Sequence, residues 1–170
     1  MEGKYRFFIC CWLLLVSCQE VSKKGTVDTG IKDTVHERAE DTTYSDLEGN
    51  TIALSSFKGK RILLNFWATW CRPCIEEMPS LLKAKRILEN EGYVILLASD
   101  ESLKEIKGFK ESESFEFNYI RYNGAFSQLN IHALPTTFIY NESGKKVEKI
   151  VGATDWDSPE MIKKLKEIHK

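Results

Sequence analysis

Two cysteines separated by two residues, Cys71 and Cys74, close the stretch FWATWCRPC that begins at Phe66. A pair at this spacing suits three kinds of chemistry. A structural zinc site needs four soft or borderline ligands, usually a second Cys pair or two His at matching spacing. The chain has three histidines and none is so placed: His36 lies in a polar N-terminal stretch, His132 stands alone, and His169 is the penultimate residue. No bound metal or cofactor is expected. A purely structural disulfide across so small a loop would restrict the unfolded chain little. Thiol–disulfide exchange is the third possibility, and it needs two distinct places: an accessible low-pKa thiol that attacks, and a second thiol within reach that resolves the mixed disulfide.

The flanking elements decide whether the pair occupies such places. Arg61–Phe66 (RILLNF) is a short apolar run, as expected of a strand buried on both faces. From 72 to about 90 apolar residues recur at helical spacing, with Ile75, Met78 and Leu82 on one stripe and Leu81, Ala84 and Leu88 beside it. Cys71 then falls at the start of a helix, where unpaired amide N–H groups and the positive end of the dipole favour thiolate over thiol. Cys74 lies one turn further in. Arg72 places a positive charge beside the attacking sulfur, and Pro73 occupies the first turn, where it removes no needed hydrogen bond. Trp67 and Trp70 either wall the sulfurs or belong to the core.

The remaining elements alternate. A turn cluster, DLEGN from Asp46, separates short extended pieces at 42–45 and 51–54, which predicts an N-terminal hairpin. Residues 93–98 read as a second buried strand, 103–111 as a helix, 117–121 as a strand, and 125–130 as a helical turn. Residues 136–140 and 146–151 flank the turn NESG, which joins antiparallel strands. Ser158 and Pro159 make an N-cap and first helical residue for a final amphipathic helix. The order predicts a three-layer α/β domain over 42–170, a central mixed sheet flanked by helices, with an N-terminal β-hairpin and a central α-β insert. At 170 residues and 42% hydrophobic content the chain suits one domain. Its net charge of -1, with both signs intermixed and no basic stripe, argues against nucleic acid.

The first residues have the architecture of an export signal. Lys4 and Arg6 precede the uncharged run FFICCWLLLV, which is followed by Ser17 and Cys18. That run is far shorter than the roughly 20 residues a bilayer-spanning helix needs. The ending LVSC resembles the bacterial lipobox, so residues 1–17 are expected to be a lipoprotein signal peptide, with Cys18 lipidated as the first mature residue. Cys10 and Cys11 would leave with the leader, so only Cys71 and Cys74 would remain unmodified, in an oxidising compartment. Residues 18–41 are polar, charged and Thr-rich, a flexible tether between membrane and domain.

Several separated motifs now carry a resemblance. NFWATWCRPC from Asn65, EMP from Glu77, LPTTFIYNESGK from Leu134, and Gly152 after the hairpin resemble the exported TlpA/ResA-type thiol-disulfide oxidoreductases of the thioredoxin fold. The likeness spans nearly the whole domain. It implies that Cys71 is the nucleophile, that Cys74 resolves, and that Leu134, Pro135 and Thr136 form the cis-proline segment that receives an extended substrate peptide. Where thioredoxin has a buried aspartate, this chain has Asn65, which cannot titrate. The resemblance offers Glu77, three residues after Cys74, as the acid linked to the thiols, with Glu76 as a solvated neighbour. It further implies reduction of disulfides in exported proteins, electrons from a membrane donor of the DsbD type, and an envelope or periplasmic location. Clients compatible with it include the cytochrome c apoprotein of cytochrome c biogenesis, a copper-site protein, or misoxidised proteins at large.

Two rivals remain. A peroxide reductase of the related peroxiredoxin branch would need the pattern P-x-x-x-T-x-x-C, which the sequence lacks. A Cu(I)-binding chaperone would use Cys71, Cys74 and His132 as ligands.

Overall fold

The computed structural model describes residues 43–168. The leader, Cys18, the tether, His36 and His169 lie outside them. The described elements are β1 (Tyr44–Ser45), β2 (Thr51–Ile52), β3 (Arg61–Phe66), α1 (Arg72–Leu88), β4 (Tyr93–Ser99), α2 (Leu103–Ser112), β5 (Asn118–Tyr122), β6 (Thr136–Tyr140), β7 (Lys146–Val151) and α3 (Pro159–Lys166). The strands form one sheet in the order β2-β1-β5-β4-β3-β6-β7. β3, β4 and β5 run parallel, and the other pairings are antiparallel. This is the mixed sheet of the thioredoxin fold, with α2 and β5 as the insert.

β3 is buried at every position, as its unbroken apolar run requires. One face of the sheet, through Leu63, Ile95, Leu97 and Ile139, packs against all three α-helices, which contribute Met78, Leu81 and Leu88, then Ile106 and Phe109, then Leu165. The other face, through Leu64, Phe66, Leu96 and Phe138, is covered by Tyr44 of the hairpin and by Leu54, Phe126 and Ile131. Among the described residues this face carries 3-10 turns at Leu54–Phe57 and Phe126–Leu129, the second at the helical turn expected over 125–130. The hairpin strands are shorter than predicted, and Leu54 belongs to a 3-10 turn. No helix among the described residues is long and apolar enough to cross a membrane.

Buried Arg61 ties the end of this layer together. Its Nη1 donates to the carbonyl oxygens of Leu165 (3.5 Å), Lys166 (3.3 Å) and Ile168 (3.3 Å), where α3 ends, and its Nη2 donates to the Glu91 carbonyl. The guanidinium also lies 4.6 Å from the centre of the Tyr93 ring.

Register fixes where the chemistry sits. Phe66 pairs with Ala98 of β4 and with Thr136 of β6. The C-terminal end of β3, the start of α1 and the entry to β6 therefore share one end of the sheet.

Candidate active site

Cys71 is the N-cap of α1 and Cys74 lies in its first turn, with Pro73 between them near the helix start. The two sulfurs are joined in a disulfide of 1.99 Å. Cys71 is 4% exposed and Cys74 1%, so the attacking position is the more open of two nearly closed ones. The Cys71 N–H donates to Ala68 O at 3.0 Å, and its carbonyl accepts from Ile75 N at 3.2 Å. No acidic residue lies in the first turn of α1 to oppose the positive dipole end. Arg72 is exposed and bound to Glu76 at 2.7 Å, so its charge is shared with that carboxylate.

Thr136 enters β6 beside Phe66, and the Leu134–Pro135 peptide bond before it is cis. Leu134 packs against the cluster that contains Cys71 and Cys74. The Pro135 carbonyl accepts the Gly152 N–H at 2.8 Å. Gly152 has φ +95°, a left-handed turn that side chains disfavour, and it swings the chain leaving β7 toward α1.

That swing delivers the partners of Glu77. Glu77 is 4% exposed, whereas Glu76 beside it is exposed. Glu77 Oε1 accepts from Asn65 Nδ2 at 2.8 Å, and Oε2 accepts from the Thr154 N–H at 2.9 Å. Asn65 also donates to Thr137 Oγ1 at 3.0 Å. Burial pushes the Glu77 pKa above its ordinary value; the donors Thr154 and Asn65, and the nearby Trp156 indole, only partly offset this. The Trp156 Nε1 itself closes no hydrogen bond. Glu77 is thus a buried acid with raised proton affinity, one turn from Cys74 on the same helix.

The two tryptophans separate. Trp67 is fully buried and packs against Phe109 and Tyr119 of the insert, with ring centres at 4.6 and 5.4 Å. Trp70 is 73% exposed beside Cys71, so it is a surface platform and not an enclosing wall. The loop between them is held by Glu101, whose Oε2 accepts the Thr69 N–H at 2.7 Å and whose Oε1 accepts the Thr69 hydroxyl at 2.7 Å. Neither Glu101 nor Thr154 carries a sequence signal, because each acts on a residue far away in the chain. His132 is exposed, and no group of three metal-capable side chains occurs among the described residues, so Cys71, Cys74 and His132 do not form the Cu(I) ligand set.

The chain is similar to known proteins in sequence and in fold. The AhpC/TSA family profile matches residues 35–149. A thiol-disulfide oxidoreductase ResA of Bacillus cereus is 32% identical over 155 residues, covering 88% of this chain and 90% of its own. The thioredoxin-like protein YneN of Bacillus subtilis (strain 168) is 33% identical, covering 74% of each chain. Among solved structures, the thioredoxin domain of a thiol-disulfide oxidoreductase from Bacteroides vulgatus superposes with a TM-score of 0.62 at 26% identity, over 72% of this chain and 90% of that one. A thiol:disulfide interchange protein from Bacteroides sp. gives 0.60 at 27% identity, over 68% and 80%. With its disulfide at the head of α1 and its matches across the domain, the chain belongs to the AhpC/TSA family of thioredoxin-fold proteins, among the ResA-type thiol-disulfide oxidoreductases.

Proposed function

We propose that the Cys71–Cys74 dithiol reduces disulfides in protein substrates, with Cys71 as nucleophile, Cys74 as resolving thiol and Glu77 as proton acceptor. The observation that carries this reading is the placement of the Cys71–Cys74 pair at the N-terminus of α1, at the same sheet end as the cis Leu134–Pro135 segment. The Cys71 thiolate attacks a substrate disulfide, forming a mixed disulfide and releasing one substrate sulfur, which takes up a proton. Cys74 then gives its proton to Glu77 and attacks Cys71; the mixed bond breaks, the second substrate sulfur leaves and is protonated, and the enzyme is left oxidised. A dithiol donor must return two electrons and two protons.

Substrate recognition follows from the same end of the sheet. Leu134 precedes the β6 ladder, so its main chain is suited to pair with an extended peptide, while Pro135 and Thr136 hold that segment against Phe66. Trp70 offers an apolar platform.

The leader pattern supports an anchored enzyme on the outer side of a membrane, attached through lipid on Cys18 and reaching its clients over the 18–41 tether. A DsbD-type membrane protein fits the role of donor. Purified wild type should reduce insulin with a thiol donor, and Cys74→Ser should accumulate a mixed disulfide that Cys71→Ser cannot form. Equal trapping by both variants would sink the assignment of roles. Equilibration with glutathione buffers gives the direction: a potential as high as that of strong oxidants would overturn the reductase reading.

A further inference from the structure

A cleft of about 330 Å³ opens between α1 and the segment after β7, lined by Glu76, Glu77, Ser80, Ala153, Thr154 and Asp155. The cleft is shallow and open, with room for water. We propose that this cleft is the route by which the Glu77 carboxyl exchanges its proton with solvent, with Asp155 as the relay at its mouth. The inference rests on Glu77 as the acceptor of the Cys74 proton.

The groups bonded to Glu77 do not themselves carry its proton away. Toward the sheet it meets the Asn65 amide, and beyond that the Thr137 hydroxyl; both residues are buried and neither titrates. In the segment between β7 and α3 lie the Thr154 amide and the Trp156 indole, both pure donors. Cys71 and Cys74 are 4% and 1% exposed, and a peptide docked on Trp70 and Pro135 would cover them just when Cys74 gives up its proton. None of Trp70, Cys71, Leu134 or Pro135 lines the cleft, so a docked substrate leaves it open.

The charged groups around the mouth divide the work. Glu76 is held by Arg72 at 2.7 Å, and Asp157 by Lys83 at 2.9 Å. Asp155 has no such cation of its own among the described residues. Contact with Asp157 raises the Asp155 pKa, with Lys83 acting against it, and Asp155 lines the cleft without an ion pair to hold it. Ser80 keeps the two walls together: its Oγ accepts the Trp156 N–H at 3.2 Å and donates to Glu77 O at 2.9 Å.

The test is a pH jump on the oxidised full-length protein, following the infrared carboxyl band that Glu77→Gln removes. Ala153 is exposed, so Ala153→Phe should fold while plugging the opening. It should slow Glu77 relaxation at least tenfold. Asp155→Asn should slow it several-fold, and added formate should restore the speed. Redox potential and melting temperature should stay at wild-type values in both. Relaxation of Ala153→Phe at the wild-type rate overturns the cleft as the route, and wild-type relaxation of Asp155→Asn overturns the relay. Failure of the underlying assignment looks different: Glu77→Gln would then resolve mixed disulfides as fast as wild type, whatever the relaxation rates.

Discussion

Asn65 of β3 and Glu77 of α1 meet through a 2.8 Å hydrogen bond, amide to carboxylate, that crosses from the sheet to the helix carrying the disulfide. A neutral donor at position 65 supports charge on Glu77 without adding a second titrating group. Burial acts against that charge and outweighs it.

The consequence is a stability that depends on pH. Glu77 keeps its proton to higher pH in the folded chain than its ordinary value of 4.5, so its stabilisation is complete below that value and is lost as pH rises through the folded pKa. Glu77→Gln should flatten this dependence, making the oxidised variant relatively more stable than wild type at pH 8 than at pH 4. Urea unfolding at a series of pH values measures it, and parallel profiles for the two proteins would contradict it.

Trp67 and Trp70 should answer substitution in opposite ways. Trp67→Ala removes a fully buried ring and should cost about 3–5 kcal/mol of stability. Trp70→Ala should leave the melting temperature within a degree or two and lower kcat/KM for a protein disulfide about tenfold, equivalent to about 1.4 kcal/mol. Small disulfides, which need no platform, should react at an unchanged rate.

Arg61 should be a stability residue with no part in turnover. Its Nη groups satisfy the carbonyls where α3 ends, so Arg61→Ala leaves them without their donor and should cost about 2–4 kcal/mol. Arg61→Lys keeps the charge and loses the planar fork, and should fall between the two. Chemical denaturation decides this, with insulin reduction by the folded fraction expected to stay constant.

Glu101 should govern the loop before Cys71. Glu101→Ala strands the Thr69 N–H and hydroxyl, and amide exchange at Thr69 should accelerate about tenfold or more, consistent with a local loss of about 1–2 kcal/mol. Exchange at Leu63, in the middle of β3, should change only as far as global stability does. Unaltered protection at Thr69 would show that the loop is held by other means.

Much of this was legible because periodicity and local chemistry decide it. β3, β6 and β7 have the bounds that their apolar runs and the NESG turn suggested, and Ser158 caps α3 by accepting Met161 N–H at 3.3 Å. The placement of Cys71 followed from a strand running into a helix. What the sequence hid are contacts made by chain return. Thr154 reaches Glu77 across 77 residues, and Thr69 reaches Glu101 across 32, through backbone amides that carry no residue-type signature. Apolar pattern shows that a sheet face needs cover, but not whether an α-helix or a 3-10 turn provides it.

The two outermost strands bear on where a foreign chain can add. β2 is only two residues long, too little for a stable new ladder. β7 carries Lys146, Glu148 and Lys149; Lys164 holds Glu148 at 3.0 Å, Lys149 Nζ reaches Asn130 O at 2.8 Å, and Lys146 Nζ lies 4.3 Å from the centre of the Phe138 ring. A strand arriving there would have to strip these charges of water. Both margins of the sheet are thus poor templates for self-association.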